Sequence, residues 1–278
     1  MSMKINLAKS AGFCFGVKRA LDIAFRTISS RSDVYMMGDI VHNEDVIEEI
    51  EKAGIKKIIK LKSVKNKRLL IRAHGVGMDL LAKARKLGYN IVDATCPMVK
   101  EIHGIAKKME NKGYRIIIIG NKDHDEVQGI IGQLKAKPMV IENLNDVAFN
   151  KIKKAAVVVQ STQNIEKVAR IAEKLKPRVN ELRFFNTICK PTRLKQEEIR
   201  KMPLENDVMI IAGSKTSANT KRLYEIAKAI NKKSYWVQSR RDIKPAWFKG
   251  ARNIGVTAGA STPDRTIKEI IEYLQTTK

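Results

Sequence analysis

Short apolar runs that alternate with amphipathic stretches are the feature that most constrains how this chain folds. The spacing of apolar residues at i, i+3, i+4 and i+7 after most of the runs predicts helices between the strands. Strands that alternate with helices are typical of an α/β fold with mainly parallel sheets. The eight predicted strands are "VYMMGDI", "RLLIRAH", "YNIVDAT", "YRIIIIG", "AAVVVQS", "LRFFNT", "DVMIIAG" and "NIGVTAG".

Two of the predicted helices carry a complete apolar stripe. The helix after Cys14 is expected to bury Val17, Ala20, Leu21, Ala24, Phe25 and Ile28. The helix after Cys96 begins with Pro97, which suits a first helical turn. Its expected buried face is Met98, Val99, Ile102, Ala106 and Met109, and His103 within it is assigned no role.

Nearly every predicted strand ends in a residue capable of chemistry. In open parallel sheets, and equally in a (β/α)₈ barrel, ligands bind at the carboxyl ends of the strands. So many reactive residues at equivalent positions predict one shared site. These residues are His42, His74, Cys96, His124, Glu126, Ser161, Thr162, Cys189, Ser217, Asn219, Ser261 and Thr262.

Three cysteines at near-equal spacing divide the chain into thirds, each with about three strand–helix units. We therefore predict three similar α/β domains, because segments of this length can each form a small domain. The expected bounds are 1–97 with Cys14 and Cys96, 98–188 with His124 and Glu126, and 189–278 with Cys189. Eight strands are also the number that a (β/α)₈ barrel requires, so that fold is the alternative.

The spacing of the cysteines also bears on what they bind. Cys14, Cys96 and Cys189 form no local pair of the kind that structural zinc sites and redox motifs use. An iron–sulfur cluster accepts thiolates from distant segments, and three ligands leave one iron of a four-iron cluster open. Three unrelated buried cysteines are the alternative, since free cysteine is often buried.

The chain is strongly basic, with 54 Lys and Arg against 29 Asp and Glu and a net charge of +25. Such a field attracts nucleic acid, phosphorylated metabolites or acidic proteins, although a solvated basic surface that keeps the protein soluble explains it equally. Aromatic residues make up only 5%, which argues against a base-stacking surface. The sequence shows neither a long apolar run nor a signal peptide, so we expect a cytoplasmic protein without a membrane span.

Seven motifs in order carry a more specific signal. They are "AGFCFGVKRAL", "HN" at His42–Asn43, "RAHGV", "DATCPMV", "GNKDHDEVQGIIGQ", "NTICKPT" and "VTAGASTPD". Together they resemble the motifs of the 4-hydroxy-3-methylbut-2-enyl diphosphate reductase family, which completes the methylerythritol phosphate route to isoprenoids. The resemblance runs from Cys14 to Thr262, nearly the whole chain.

The resemblance implies three pseudo-symmetric α/β domains around a central 4Fe–4S cluster. Cys14, Cys96 and Cys189 would be its ligands, and one iron would stay open for the substrate. The implied reaction is a two-electron reductive dehydroxylation of the allylic diphosphate to isopentenyl and dimethylallyl diphosphate. The family has no flavin or nicotinamide of its own, so the implied electron donor is ferredoxin or flavodoxin.

The resemblance also assigns roles to individual side chains. Glu126 matches the glutamate that delivers the proton, and Ser161 or Thr162 would relay a proton or hold the substrate hydroxyl. The side chains that match the diphosphate contacts are His42, His74, His124, Ser217, Asn219 and Ser261, with the histidines expected as imidazolium donors.

Three positions depart from the family pattern. Ser161 stands in place of a threonine, Ala218 in place of a second serine, and Pro191 in place of an alanine. These changes bear on the diphosphate contacts and leave the cluster ligands and the acid intact. Two other functions remain open alternatives: nucleic-acid binding, and a sensor or dehydratase in which the open iron removes water without net reduction.

Overall fold

The computed structural model describes residues 3–28 and 33–276, which form twelve strands and nine α-helices. The strands are β1 (Lys4–Leu7), β2 (Val34–Met37), β3 (Ile55–Ile58), β4 (Lys67–Ile71), β5 (Tyr89–Asp93), β6 (Arg115–Ile119), β7 (Met139–Ile141), β8 (Ile152–Val159), β9 (Val179–Phe184), β10 (Val208–Ala212), β11 (Ser234–Val237) and β12 (Asn253–Ala258). The helices are α1 (Phe15–Ile28), α2 (Glu44–Lys52), α3 (Met78–Lys86), α4 (Pro97–Asn111), α5 (Asp125–Ile131), α6 (Ile165–Leu175), α7 (Lys190–Glu205), α8 (Ala218–Ile230) and α9 (Asp264–Thr276).

The described strands assemble into three sheets of four, and all of their pairings are parallel. The strand orders are β3-β2-β4-β5, β7-β6-β8-β9 and β1-β12-β10-β11. This confirms the α/β prediction with three parallel-sheet domains. The barrel alternative was wrong, because the strands form three separate sheets rather than one closed ring of eight.

Two compact units divide the described residues. Those within Gly16–Val41 and Ile47–Cys189 form one unit, called here the central unit, which contains the first two sheets. Those within Met1–Phe15, His42–Val46 and Lys190–Lys278 form the other, called here the terminal unit, which contains the sheet of β1. Cys14 therefore belongs to the terminal unit, while Cys96 and Cys189 belong to the central unit.

The first strand corrects one part of the predicted domain organisation. The bounds 1–97, 98–188 and 189–278 stay a prediction, but they placed residues 4–7 with the first domain. In the structure β1 pairs with β12, with Lys4 opposite Asn253 and Leu7 opposite Val256. Order along the chain does not decide which strands pair, and a short edge strand can be supplied from the opposite end of the sequence.

The four strands that the sequence did not predict all lie at sheet edges. They are β1, β3, β7 and β11, each of three or four residues. An edge strand packs against one neighbour only, so it needs no continuous apolar run. The eight predicted runs include every central strand, such as β8, in which five consecutive residues are buried.

The predicted helix faces are correct except at two exposed positions. Ala20 and Ala24 of α1 are fully buried, but Phe25 is 40% exposed. In α4, Pro97 takes the first position as predicted, while Met98 is 39% exposed. Apolar type alone does not determine which side of a helix meets the sheet.

None of the described helices combines the length and the apolar character that a membrane-spanning helix needs.

Candidate active site

Each of the three cysteines lies immediately before a helix. Cys14 precedes α1, Cys96 is the N-cap of α4, and Cys189 precedes α7. All three carry thiols rather than disulfides and are partly exposed. The N-terminus of a helix favours negative charge, so these positions suit thiolate ligands. The donor set of three thiols fits an iron–sulfur cluster.

Glu126 is a buried carboxyl group in the central unit, with only 1% of its surface exposed. It lies in the first turn of α5 and reaches the carboxyl end of β8. The Ser161 N–H donates to Glu126 Oε1 over 2.6 Å, and the Ser161 hydroxyl donates to Oε2 over 2.7 Å. Glu126, predicted as the proton source, and Ser161, predicted with Thr162 as a possible proton relay, are therefore in direct contact.

The environment of Glu126 favours its protonated form. Burial is the largest influence and raises the pKa of this carboxyl group, although the two hydrogen bonds from Ser161 oppose it. Desolvation disfavours the charged carboxylate because few polar groups replace the lost water. A carboxyl group that keeps its proton at higher pH can donate it to a substrate.

His124 is the N-cap of α5, and its ring accepts a backbone hydrogen bond. Its Nδ1 accepts a hydrogen bond from the Glu126 N–H over 3.1 Å. This contact suits a neutral ring with its proton on Nε2, because an imidazolium carries a proton on Nδ1 and could not accept there. The expectation of an imidazolium donor at His124 stays a prediction, and an imidazolium would have to give up this contact.

His74 lies beside His124, and their rings meet edge to face with centroids 5.5 Å apart. His74 follows β4 of one central sheet, while His124 follows β6 of the other. The carboxyl ends of these two strands therefore bring two of the predicted diphosphate contacts together.

Backbone hydrogen bonds extend this group to both cysteines of the central unit. The Cys96 N–H donates to the carbonyl oxygen of Ala73, the residue before His74, over 2.9 Å. The Cys189 N–H donates to the carbonyl oxygen of Ser161 over 3.1 Å. Thr162 lies on the same turn as Ser161, and its hydroxyl accepts from Gln160 Nε2 over 3.2 Å.

Two features that support this site were not found from the sequence. Arg72 forms an ion pair with Asp125 over 2.7 Å and so joins the end of β4 to the start of α5. The backbones of Gly77 and Gly132 lie so close that a Cβ on Gly132 would be 2.5 Å from the Gly77 Cα. The glycines in "RAHGVG" and "VQGIIGQ" were the available signal, because close backbone approach requires glycine.

The terminal unit holds the remaining predicted residues. The Cys14 N–H donates to the carbonyl oxygen of Ala260 over 3.1 Å. The hydroxyl of the neighbouring Ser261 donates to the carbonyl oxygen of His42 over 2.9 Å. The loop after β12 therefore contacts the backbone of both Cys14 and His42.

Ser217 and Asn219 lie at the N-terminus of α8, as expected for anion-binding residues. Ser217 is the N-cap, and its hydroxyl accepts from the Thr220 N–H over 3.3 Å. Asn219 is only 5% exposed, yet neither polar atom of its amide has a hydrogen-bond partner among the described residues. Buried amides are nearly always hydrogen-bonded, so Asn219 fits a site that a polar ligand completes. A single site that unites the residues of both units stays a prediction.

Comparison with known proteins gives a consistent result. The model of the family described as LytB protein matches residues 5–275. A 4-hydroxy-3-methylbut-2-enyl diphosphate reductase of Geotalea daltonii is 38% identical over 98% of this chain and 97% of its own. The reductase of the same name from Campylobacter hominis is 41% identical over 99% of both chains. That of Aquifex aeolicus is 37% identical over 98% of this chain and 96% of its own.

Two solved structures share the fold. One is a structure of (E)-4-hydroxy-3-methyl-but-2-enyl diphosphate reductase, described as the terminal enzyme of the non-mevalonate pathway. It is 36% identical and covers 99% of both chains with a TM-score of 0.71. The other is the E-1-hydroxy-2-methyl-but-2-enyl-4-diphosphate reductase from Plasmodium falciparum. It is 29% identical, with a TM-score of 0.92, over 98% of this chain and 88% of that one.

Proposed function

The chain belongs to the LytB protein family of 4-hydroxy-3-methylbut-2-enyl diphosphate reductases, and on that premise we propose that it converts this substrate to isopentenyl and dimethylallyl diphosphate. The reaction takes up two electrons and two protons. The allylic C–O bond breaks, one proton leaves with the hydroxyl group as water, and the other forms a C–H bond at either end of the allyl group.

The buried contact between Glu126 and Ser161 is the observation that carries the proposal. Because burial raises the pKa of the Glu126 carboxyl, this group holds a proton where an exposed glutamate would have lost it. Its hydrogen bond to the Ser161 hydroxyl provides a path by which that proton moves towards the substrate. Ser161 keeps the hydroxyl of the usual threonine, so the loss of the methyl group leaves this path intact.

Cys14, Cys96 and Cys189 are the residues that would hold the cluster. When bound, a 4Fe–4S cluster supplies electrons one at a time and an open iron that polarises a substrate oxygen. The residues of this chain orient the substrate and provide the proton. The helix that follows each cysteine adds a favourable dipole for the negative charge of the thiolates.

The diphosphate would be bound by side chains that donate hydrogen bonds. Asn219 has a buried amide with no partner among the described residues, and Ser217 adds a hydroxyl group two residues before it. The Ser261 hydroxyl would donate to the diphosphate only after releasing the carbonyl oxygen of His42. A neutral His124 would donate through Nε2–H, since its Nδ1 accepts the Glu126 N–H. Ala218 removes one hydroxyl donor, but its backbone N–H at the first position of α8 remains available to an anion.

The electrons would come from a small acidic carrier, ferredoxin or flavodoxin. The net charge of +25 favours its approach, because opposite charges speed association. Nucleic acid is the less favoured partner, because the chain has few aromatic residues on which bases could stack.

The test is turnover of the allylic diphosphate by anaerobically purified, cluster-loaded protein with reduced methyl viologen. We expect wild type to oxidise the viologen, and Glu126→Gln to lose about 100-fold or more in kcat, as removal of a general acid does. Glu101→Gln, at an exposed position on α4, is the matched control and should retain activity. No viologen oxidation by wild type with an intact cluster would refute the proposal, and water loss without electron uptake would favour the dehydratase.

A further inference from the structure

Lys195 on α7 is a buried cation for which the proposed reaction has no use. Only 2% of its surface is exposed. Its ammonium group donates to three backbone carbonyl oxygens: those of Ser10, of Gly12 at 3.1 Å and of Ala258 at 3.1 Å. Burial of a charge is costly unless hydrogen bonds compensate it, and here all three ammonium donors have acceptors.

Glu198 lies three residues further along α7 and binds the same segment. Its carboxylate accepts from the Lys9 N–H over 2.6 Å and from the Ser10 N–H over 3.0 Å, and it also accepts from the Ser10 hydroxyl. Burial would raise the pKa of Glu198, but these hydrogen bonds and the charge of Lys195 outweigh it and lower the pKa. Glu198 is therefore an anion that pairs with the N–H groups of the segment, while Lys195 pairs with its carbonyl groups.

The segment held in this way is the loop from Ala8 to Cys14, which joins β1 to α1. It has little regular structure of its own, and Gly12 adopts a positive φ of 87°. Gly12 is two residues from Cys14, and a residue spans at most about 3.6 Å, so the Lys195 ammonium lies within about 10 Å of the Cys14 backbone. A fixed positive charge is thus close to one proposed cluster ligand.

We propose that Lys195 is a positioning residue for the cluster: it holds the loop that presents Cys14, and its buried charge raises the reduction potential at that site. This inference rests on the proposed function, since it requires a cluster bound at Cys14. A nearby cation stabilises the reduced state, which carries one more negative charge than the oxidised state.

The charge of Lys195 predicts the direction in which the reduction potential changes, which a purely structural role would not do. A cluster held by the Cys14 side chain lies further away than the Cys14 backbone, and a unit charge at about 10–15 Å, in an effective dielectric of about 20, changes a one-electron equilibrium roughly tenfold. Glu198 has the opposite charge, but it is nearer the surface and binds Lys9 and Ser10, further from Cys14. Its removal should therefore act in the opposite direction and more weakly.

The experiment is a redox titration of anaerobic, cluster-loaded protein, followed by electron paramagnetic resonance, on wild type and four variants. Lys195→Met should lower the ratio of reduced to oxidised cluster about tenfold at a fixed potential, a shift of about 59 mV for one electron. Lys195→Arg should stay within about threefold of wild type, and Glu198→Gln should raise the ratio. Lys201→Met, exposed on the same helix, is the matched control and should match wild type.

Hydrogen exchange of the metal-free protein tests the loop separately. Residues 8–14 should exchange faster in Lys195→Met than in wild type, and Lys195→Arg should restore protection. An unshifted potential in Lys195→Met, or shifts of the same sign in Lys195→Met and Glu198→Gln, would overturn the charge effect. Unchanged exchange in Lys195→Met would overturn the positioning role.

Two further outcomes are also decisive. If Lys195→Met fails to retain the cluster, the other two variants test the charge effect. A raised ratio of reduced to oxidised cluster in Glu198→Gln, together with an unchanged ratio in Lys195→Arg, supports it. Any other pair of results overturns it. If wild type itself assembles no cluster, the proposed function fails, whereas the exchange of residues 8–14 still tests how Lys195 holds the loop.

Discussion

Replacing Glu126 with glutamine should change how stability depends on pH. Glutamine can keep both contacts with Ser161, because its oxygen can accept from the Ser161 N–H and its amide can donate to the Ser161 hydroxyl. It thus mimics the protonated acid but cannot ionise. The comparison isolates the cost of ionising a buried carboxyl group.

The sign and size follow from the raised pKa of Glu126. Above the ordinary value of about 4.5, the unfolded chain has lost this proton while the folded protein still binds it. The free energy of unfolding of wild type therefore falls by about 1.4 kcal/mol per pH unit relative to the variant, until the pH passes the folded pKa. Above the folded pKa, the difference in free energy of unfolding between wild type and variant is constant. Below the unfolded pKa, the stabilising contribution of the protonated Glu126 is fully present.

The assay is urea unfolding of both proteins between about pH 4 and pH 9, in the metal-free state so that cluster loss does not interfere. The pH at which the difference stops growing gives the folded pKa of Glu126 directly. Glu101→Gln is the exposed control, and its curve should run parallel to that of wild type. If Glu126→Gln also runs parallel to wild type over the whole range, the buried-acid reasoning is refuted.

Three further predictions concern the same elements. Asn219→Leu should raise the free energy of unfolding of the ligand-free protein by about 1 kcal/mol, because it removes a buried amide without a partner among the described residues. It should also raise KM for the diphosphate. A less stable variant with unchanged KM would contradict this prediction. Ser161→Ala should lower kcat about 100-fold with little change in KM, because the hydroxyl group through which the Glu126 proton would move is lost. The assay is oxidation of reduced methyl viologen. An unchanged kcat would exclude Ser161 as the proton relay. Gly132→Ala should lower the free energy of unfolding, measured in urea, by about 1–3 kcal/mol, because the alanine Cβ would lie 2.5 Å from the Gly77 Cα. An unchanged free energy of unfolding would show that these two backbones can separate.

Residues with a strong local pattern were predictable from the sequence. The central strands are continuous apolar runs because both of their faces are covered, and β8 is the clearest case. The position of Cys96 before Pro97 indicated a strand–helix junction, and the structure places Cys96 at the N-cap of α4. The contact of Glu126 with Ser161 follows from two neighbouring strands that end at the same edge of one sheet.

Features that depend on long-range pairing were not predictable. The "KINL" segment of β1 has no apolar run, and only its partner β12 makes it a strand. The contact that favours a neutral His124 comes from a backbone N–H two residues later, which no motif specifies. The burial of Lys195 was not predicted, because its carbonyl acceptors lie 185, 183 and 63 residues away, beyond the reach of local patterns.

The pairing of β1 with β12 has a consequence for biosynthesis. Among the described strands β1 is made first, and its partner β12, at Asn253–Val256, is made last. At about 5–20 residues per second, the first strand waits on the order of 10–50 s for its neighbour. The two sheets of the central unit have all their strands before that and can fold during translation, whereas the sheet that contains β1 is complete only once β12 has been made. The hydrogen bond from the Cys14 N–H to the Ala260 carbonyl oxygen therefore forms late, after the loop that follows β12 has been made.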